Sequence, residues 1–317
     1  MSKYSVLFSG QGSQKIGMLS NLAKEYDLVR ETFDEAADAL NYNLWNLIQN
    51  GPKETLNQTS FTQPALLTAS VSIWRVWRKN FYHKQPSSLA GHSLGEYSAL
   101  VCANVINFNE AVKLVKLRGY LMQEAMSGKN IGAMCAIIGL NENFIQKICK
   151  EAQKNDEIVS PANFNSPDQI VISGHKNSVE RAEILCKKAG AKRTVMLSVS
   201  VPSHCMLMKS AADKLALNLE KINFQSPTIP VINNVDVLTE FDSSKIKSAL
   251  IRQLYSPVRW SEIIQLIIRE GVHTFLEIAP GNKVLSGFTK KIVKIPKPKI
   301  AIINDIASLK FAKSLID

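Results

Sequence analysis

No stretch of the chain approaches the run of about 18 apolar residues that a membrane-spanning helix needs. The apolar run near the N-terminus, residues 5–8, is too brief for the core of a secretion signal. These absences predict a cytoplasmic protein that does not engage a membrane. Cysteine is scarce as well: Cys102, Cys135, Cys149, Cys186 and Cys205 are odd in number and scattered, with no Cys-x-x-Cys spacing. That pattern suits a reducing compartment and argues against zinc, so no metal is expected. Zinc-finger, ribonucleoprotein and helix-turn-helix patterns are also missing, which leaves nucleic acid without support as a partner. There is no internal repeat and no low-complexity segment.

What is present fits a globular protein. Hydrophobic residues make up 45% and charged residues 21%, far from the disordered class. A length of 317 residues exceeds one average domain, so one large domain with an insert, or two domains, is expected. The formal charge is +11, with only a mild concentration at Lys290, Lys291, Lys294, Lys297 and Lys299. A solvated surface accounts for such a spread; the sharper reading is an acidic partner, drawn in by a positive face.

Residues 4–8 read as a short buried strand that enters a turn, Ser9-Gly10-Gln11-Gly12-Ser13. Helical periodicity then runs to about residue 77. Residues 87–90 lead into Gly91-His92-Ser93-Leu94-Gly95, and 96–103 look helical, which makes strand, sharp turn, helix. From about residue 132 the pattern changes to strand 133–138, helix 142–153, strand 158–163, strand 169–173, helix 178–189 and strand 193–197. That β-α-β-β-α-β order predicts a ferredoxin-like subdomain inserted at 130–198. The remainder alternates: strand 229–233, helices 243–255 and 261–270, strand 274–278, helix 283–293, strand 300–303. Such alternation implies a parallel sheet covered by helices, hence an α/β fold.

Gly91-x-Ser93-x-Gly95 matches the nucleophile elbow, in which small neighbours two residues away make room for a strained strand-to-helix turn. Three positions are a short pattern, and an ordinary glycine-bounded turn is the plain alternative; the flanking strand and helix give the motif its weight. A nucleophilic serine needs a base, to be found among His83, His92, His175, His204 and His273. His92 should point away from the nucleophile. His204 is the better candidate, because Pro202-Ser203-His204 follows the apolar run 195–201 at a loop. Its alternative is a place beside a helix cap, with Ser203 capping the helix that holds 211–219. On the helix 108–125, the inward positions are Ala111, Leu114, Val115, Arg118, Met122 and Ala125. A guanidinium there needs an anion or acceptors, either a carboxylate from another helix or the carboxylate of a substrate. Gly10-Gln11-Gly12 is no dinucleotide loop, since Lys15 stands where glycine is required. It can instead offer an amide to an oxyanion beside that of Leu94.

Taken together, Gly10-Gln11-Gly12-Ser13-Gln14, Gln63-Pro64-Ala65, Gly91-His92-Ser93-Leu94-Gly95-Glu96, Arg118-Gly119, Asn163-Phe164-Asn165-Ser166-Pro167 and Val201-Pro202-Ser203-His204 resemble the bacterial malonyl-CoA:acyl carrier protein transacylases. The resemblance continues through Asn233-Asn234, the stretch from Gln253 to Trp260, and Pro280-Gly281. It implies an α/β-hydrolase-like catalytic domain from 1–129 and 199–317 around the 130–198 insert. It also implies Ser93 as nucleophile, His204 as base, and the Gln253 backbone carbonyl orienting that base. Gln11 and Leu94 would supply the oxyanion amides, and Arg118 would hold the malonyl carboxylate. The substrates implied are malonyl-CoA and an acidic acyl carrier protein, with no resident cofactor. A thioesterase on the same elbow and an idle carrier-binding module are the rival readings; a buried Arg118 speaks against the first, and Ser93, His204 and Arg118 together speak against the second. Two positions depart from the usual family pattern. Ser9 replaces a proline, and Asn282 is an extra residue between Gly281 and Lys283.

Overall fold

A computed structural model describes residues 3–81, 84–126, 131–199 and 201–317. His83 and the expected start of the inserted segment, at residue 130, lie outside these residues. The described residues form a mixed α/β fold with two sheets.

The first sheet is parallel, made from β1 (Tyr4–Phe8), β2 (Ser88–Gly91), β7 (Val231–Ile232), β8 (Thr274–Ile278) and β9 (Lys299–Ile303), in the order β7-β2-β1-β8-β9. All five residues of β1 are buried. The period-two alternation of a strand sends Tyr4, Val6 and Phe8 to one apolar cluster and Leu7 to another, so both faces are covered. Helices Thr59–Phe81, Leu94–Cys102 and Phe108–Glu124 contribute to the first cluster, and helices Trp260–Arg269 and Leu285–Ile292 to the second.

The second sheet is antiparallel, made from β3 (Gly132–Ile138), β4 (Val159–Ser166), β5 (Gln169–His175) and β6 (Arg193–Met196), in the order β4-β5-β3-β6. Helices Glu142–Ala152 and Lys176–Lys188 cover one face, where Cys135, Ile137, Ile145, Ile148, Val179 and Ala182 form a separate cluster. The other face carries Met134, Ala136 and Val171.

Sequence-based boundaries agree with these elements to within a few residues except at four places. The strand expected at 229–233 shortens to Val231–Ile232: Pro230 has no amide to donate to a ladder at its start, and at its end the Asn233 side-chain oxygen accepts from the backbone amides of Val235 and Asp236 and turns the chain. The apolar run 195–201 leaves the sheet after Met196. Ser203 caps no helix: the helix Lys209–Leu219 follows a turn of 3-10 helix at Met206–Met208 and has Met208 before it, without a side-chain cap. Finally, the helix Ile306–Ile316 was not anticipated, although Asp305 and Ser308 form its capping box.

Candidate active site

The parallel sheet delivers residues to one place because the C-terminal ends of parallel strands open onto a common crevice. β1 leads to Gln11, β2 to Ser93 and β7 to Asn234. Ser93 takes φ 54 and ψ −109 directly before the helix Leu94–Cys102, a left-handed conformation that a non-glycine residue adopts only under constraint. The constraint is visible in its glycines. A Cβ on Gly91 would stand 1.8 Å from the Gly95 carbonyl carbon, and one on Gly95 would stand 2.1 Å from the Phe8 carbonyl oxygen. Asn234 locks the turn: its Oδ1 accepts from the Ser93 amide at 2.7 Å, and its Nδ2 donates to the Gly91 carbonyl at 2.7 Å.

His204 is 3% exposed, itself at φ 63, and places Nε2 2.8 Å from Ser93 Oγ. Its Nδ1 lies 2.7 Å from the Gln253 carbonyl oxygen. A carbonyl only accepts, so Nδ1 carries the proton and Nε2 presents a lone pair to the serine hydroxyl. Burial, followed by the nearby Arg118 cation, lowers the imidazole from 6.5 to about 3, which keeps it neutral and able to accept a proton. The other described histidines do not meet the Ser93 hydroxyl. His92 meets Asn165 Oδ1 at 2.8 Å, the His175 Nδ1 accepts from the Ile158 amide at 2.9 Å, and the buried His273 Nδ1 has no partner among the described residues.

Arg118 is 1% exposed on the inward face of its helix, as the periodicity predicts, with Ala111, Leu114, Val115 and Met122; Ala125 is only half-buried. Its Nη2 donates to Gln253 Oε1 at 3.0 Å and reaches Ser93 Oγ at 3.5 Å, its guanidinium stands 5.4 Å from the centre of the Tyr97 ring, and its buried Nε lacks a partner among the described residues. The expected alternative, a direct carboxylate partner, is not found among the described residues. The nearest such group in the network, Glu96, is separated from it by the Gln253 amide, whose Nε2 donates to Glu96 Oε2 at 2.8 Å and to the Ser93 carbonyl at 3.1 Å.

The backbone amides of Gln11 and Leu94 have no acceptor among the described residues, whereas the Ser93 amide is taken by Asn234. Gly10 brings the two free amides together, since a Cβ there would fall 2.4 Å from the His92 carbonyl oxygen and 3.8 Å from Leu94 N. Ser9, where proline is usual, donates its hydroxyl to Glu277 Oε1 at 3.0 Å. The extra residue is accommodated too: Asn282 N donates to the Ser13 carbonyl at 2.7 Å, and Glu277 accepts from the amides of Val284, Leu285 and Ser286.

A cleft of about 600 Å³ adjoins the elbow and is lined by Gln11 and His92 together with Ala136, Val171, Leu197 and Val199. A second cavity of about 400 Å³ reaches His204 beside Phe164, Met206 and Tyr255. Among the described residues, no cluster of three or more His, Cys, Asp or Glu could hold a metal ion, and no helix is long and apolar enough to cross a membrane.

Sequence reasoning missed Asn234, Glu96, Glu277 and the Gln253 side chain as parts of this site. One signal was available: Glu96 is the sole charged residue in the helix Leu94–Cys102 and is 2% exposed.

Residues 6–305 match the family model described as the acyl transferase domain. The chain is 56% identical over 308 residues to the malonyl CoA-acyl carrier protein transacylase of Haemophilus influenzae, with 97% of each chain covered. It superposes with a TM-score of 0.93 on an acyl carrier protein S-malonyltransferase from Vibrio cholerae, 57% identical, covering 98% of this chain and 99% of that one. A TM-score of 0.94 relates it to a malonyl-transacylase solved in complex with its type II PKS acyl-carrier protein, 55% identical, with 98% and 99% covered.

Proposed function

Given that the chain belongs to the malonyl CoA-acyl carrier protein transacylases of the acyl transferase family, we propose that its cleft moves a malonyl group from CoA to the phosphopantetheine thiol of acyl carrier protein by way of an ester on Ser93. The transfer supplies fatty acid synthesis. One observation carries the reading: the line from the Gln253 carbonyl through His204 to Ser93 Oγ, at 2.7 and 2.8 Å, with Arg118 3.5 Å from the same oxygen.

In this mechanism His204 Nε2 takes the hydroxyl proton as Ser93 Oγ attacks the thioester carbonyl. The Gln253 carbonyl steadies the imidazolium that forms. The amides of Gln11 and Leu94 receive the oxyanion; the loss of one such donor costs about 2.7 to 4 kcal/mol in related chemistry. His204 returns the proton to the departing CoA sulfur, and the carrier thiol then repeats the sequence on the ester. Arg118 binds the malonyl carboxylate with its fork. Because the Arg118 cation helps to depress His204, a carboxylate that neutralises it strengthens the base when the right acyl group is bound. No step calls for a resident cofactor or metal.

The parallel-sheet unit is read as an α/β-hydrolase-like domain from 1–129 and 199–317, and 130–198 as a ferredoxin-like insert. Support for the insert comes from its own apolar cluster and its β4-β5-β3-β6 order. The cysteines, all free and buried, suit a cytoplasmic setting. The mechanism is tested by incubating the protein with malonyl-CoA and labelled CoA in the absence of carrier protein. A ping-pong enzyme exchanges label into malonyl-CoA, whereas a sequential one does not.

A further inference from the structure

Glu96 lies outside the reacting groups yet touches most of what holds them. Its Oε2 accepts from Gln253 Nε2 at 2.8 Å and from the Asn234 amide at 3.0 Å. Asn234 in turn accepts from the Ser93 amide, and Gln253 passes its side-chain oxygen to Arg118 at 3.0 Å. Burial pushes the Glu96 carboxyl up to about 7 while its hydrogen bonds and Arg118 pull against that rise. A carboxyl group is costly to bury, so its place in a helix of apolar residues calls for an explanation.

A primary amide can present either its oxygen or its NH2 to a neighbour. At Gln253 the choice is settled by two acceptors, the Ser93 carbonyl at 3.1 Å and Glu96 Oε2, which engage the NH2 group. The amide oxygen is then left facing the Arg118 guanidinium. An inverted amide would set NH2 against NH2 and turn the guanidinium away. Among the described residues Arg118 meets no carboxylate directly, so the Gln253 oxygen is what fixes the direction of its fork.

We propose that Glu96 is a positioning residue for acyl-group selection, aiming Arg118 at the substrate carboxylate through the side-chain amide of Gln253. This inference rests on the reading of Arg118 as the malonyl clamp. The Asn234 arm of Glu96, like the bond from Gln253 Nε2 to the Ser93 carbonyl, serves the elbow and acts on every acyl group alike; the Gln253 oxygen, through Arg118, acts only on substrates that carry a carboxylate. The two effects therefore separate in a ratio.

The test compares kcat/KM for malonyl-CoA and acetyl-CoA in the wild type, Glu96→Leu, which has no acceptor for the Gln253 amide, Gln253→Met, the two combined, and Arg118→Ala. Gln253→Met keeps the backbone carbonyl that orients His204 and removes the relay together with the bond to the Ser93 carbonyl, a loss that falls on both acyl groups alike and cancels in the ratio. Glu96→Leu and Gln253→Met should each lower the malonyl-to-acetyl ratio, roughly tenfold, with the two changes less than additive in combination. Should Glu96→Leu fail to fold, Gln253→Met decides alone. An unchanged ratio in these variants, with Arg118→Ala still shifting it, overturns the role of Glu96 and leaves the clamp standing. An unchanged ratio in Arg118→Ala overturns the clamp and the inference together.

Discussion

Ser9 and Glu277, 268 residues apart in sequence, are joined by a hydrogen bond of 3.0 Å between the serine hydroxyl and the carboxylate. The same carboxylate accepts the amides of Val284, Leu285 and Ser286, so one buried group binds the loop that carries Gln11 to the start of the helix Leu285–Ile292. A serine in place of the usual proline thus exchanges a fixed φ for a tether.

Removing that tether should loosen the oxyanion amide without unmaking it. Ser9→Ala is expected to lower kcat roughly tenfold and leave KM nearly unchanged, less than the ~100-fold typical of deleting an oxyanion donor. Steady-state kinetics with malonyl-CoA and carrier protein check this, and an unchanged kcat would show that the loop holds its place without Ser9.

Loss of the base should be more severe. His204→Ala is expected to slow acylation of Ser93 by roughly 100-fold or more, read by rapid quench and intact mass. Acylation at the wild-type rate would mean that another group takes the proton, and His92 would be the next to examine.

Two buried groups give stability opposite slopes with pH. His204 is lowered from 6.5 to about 3, so the folded protein binds fewer protons than the unfolded chain; its contribution is full above about pH 6.5 and is lost as pH falls toward 3. Glu96 is raised from 4.5 to about 7, so the folded protein binds more; its contribution is full below about pH 4.5 and is lost as pH rises through 7. Urea midpoints of Glu96→Gln should therefore fall less than those of the wild type between about pH 5 and pH 8. Parallel curves would mean that Glu96 titrates as an ordinary carboxyl.

How much of this was legible in sequence depended on range. Ser93 announces itself locally, because the elbow needs two glycines at fixed offsets and a strand and helix to either side. Arg118 is legible from helical periodicity, which places a guanidinium among alanine, leucine and valine. The Gln253 carbonyl is not, since every residue has one and only the fold decides which one meets His204; it entered through family resemblance alone. Asn234, Glu96 and Glu277 act through contacts 138 to 268 residues away in sequence, which no local pattern carries. The strand at 229–233 shortens for local reasons that outweigh its apolar run: Pro230 cannot donate at one end, and Asn233 turns the chain at the other.

The charge of +11 makes a prediction about the carrier protein. Transfer to an acidic carrier should weaken as salt is added, because steering between opposite charges is screened over about 8 to 10 Å near physiological ionic strength. Transfer to free pantetheine, which is neutral, should change much less. Equal salt dependence for the two acceptors would remove electrostatic docking from the account.

The central claim is a malonyl ester on Ser93. Intact mass of the protein after exposure to malonyl-CoA alone, followed by peptide mapping, tests it most directly. The account predicts one malonyl group on the peptide containing Ser93, discharged on addition of carrier protein and never formed in Ser93→Ala. Turnover without an adduct, or an adduct mapped to any other side chain, would contradict it.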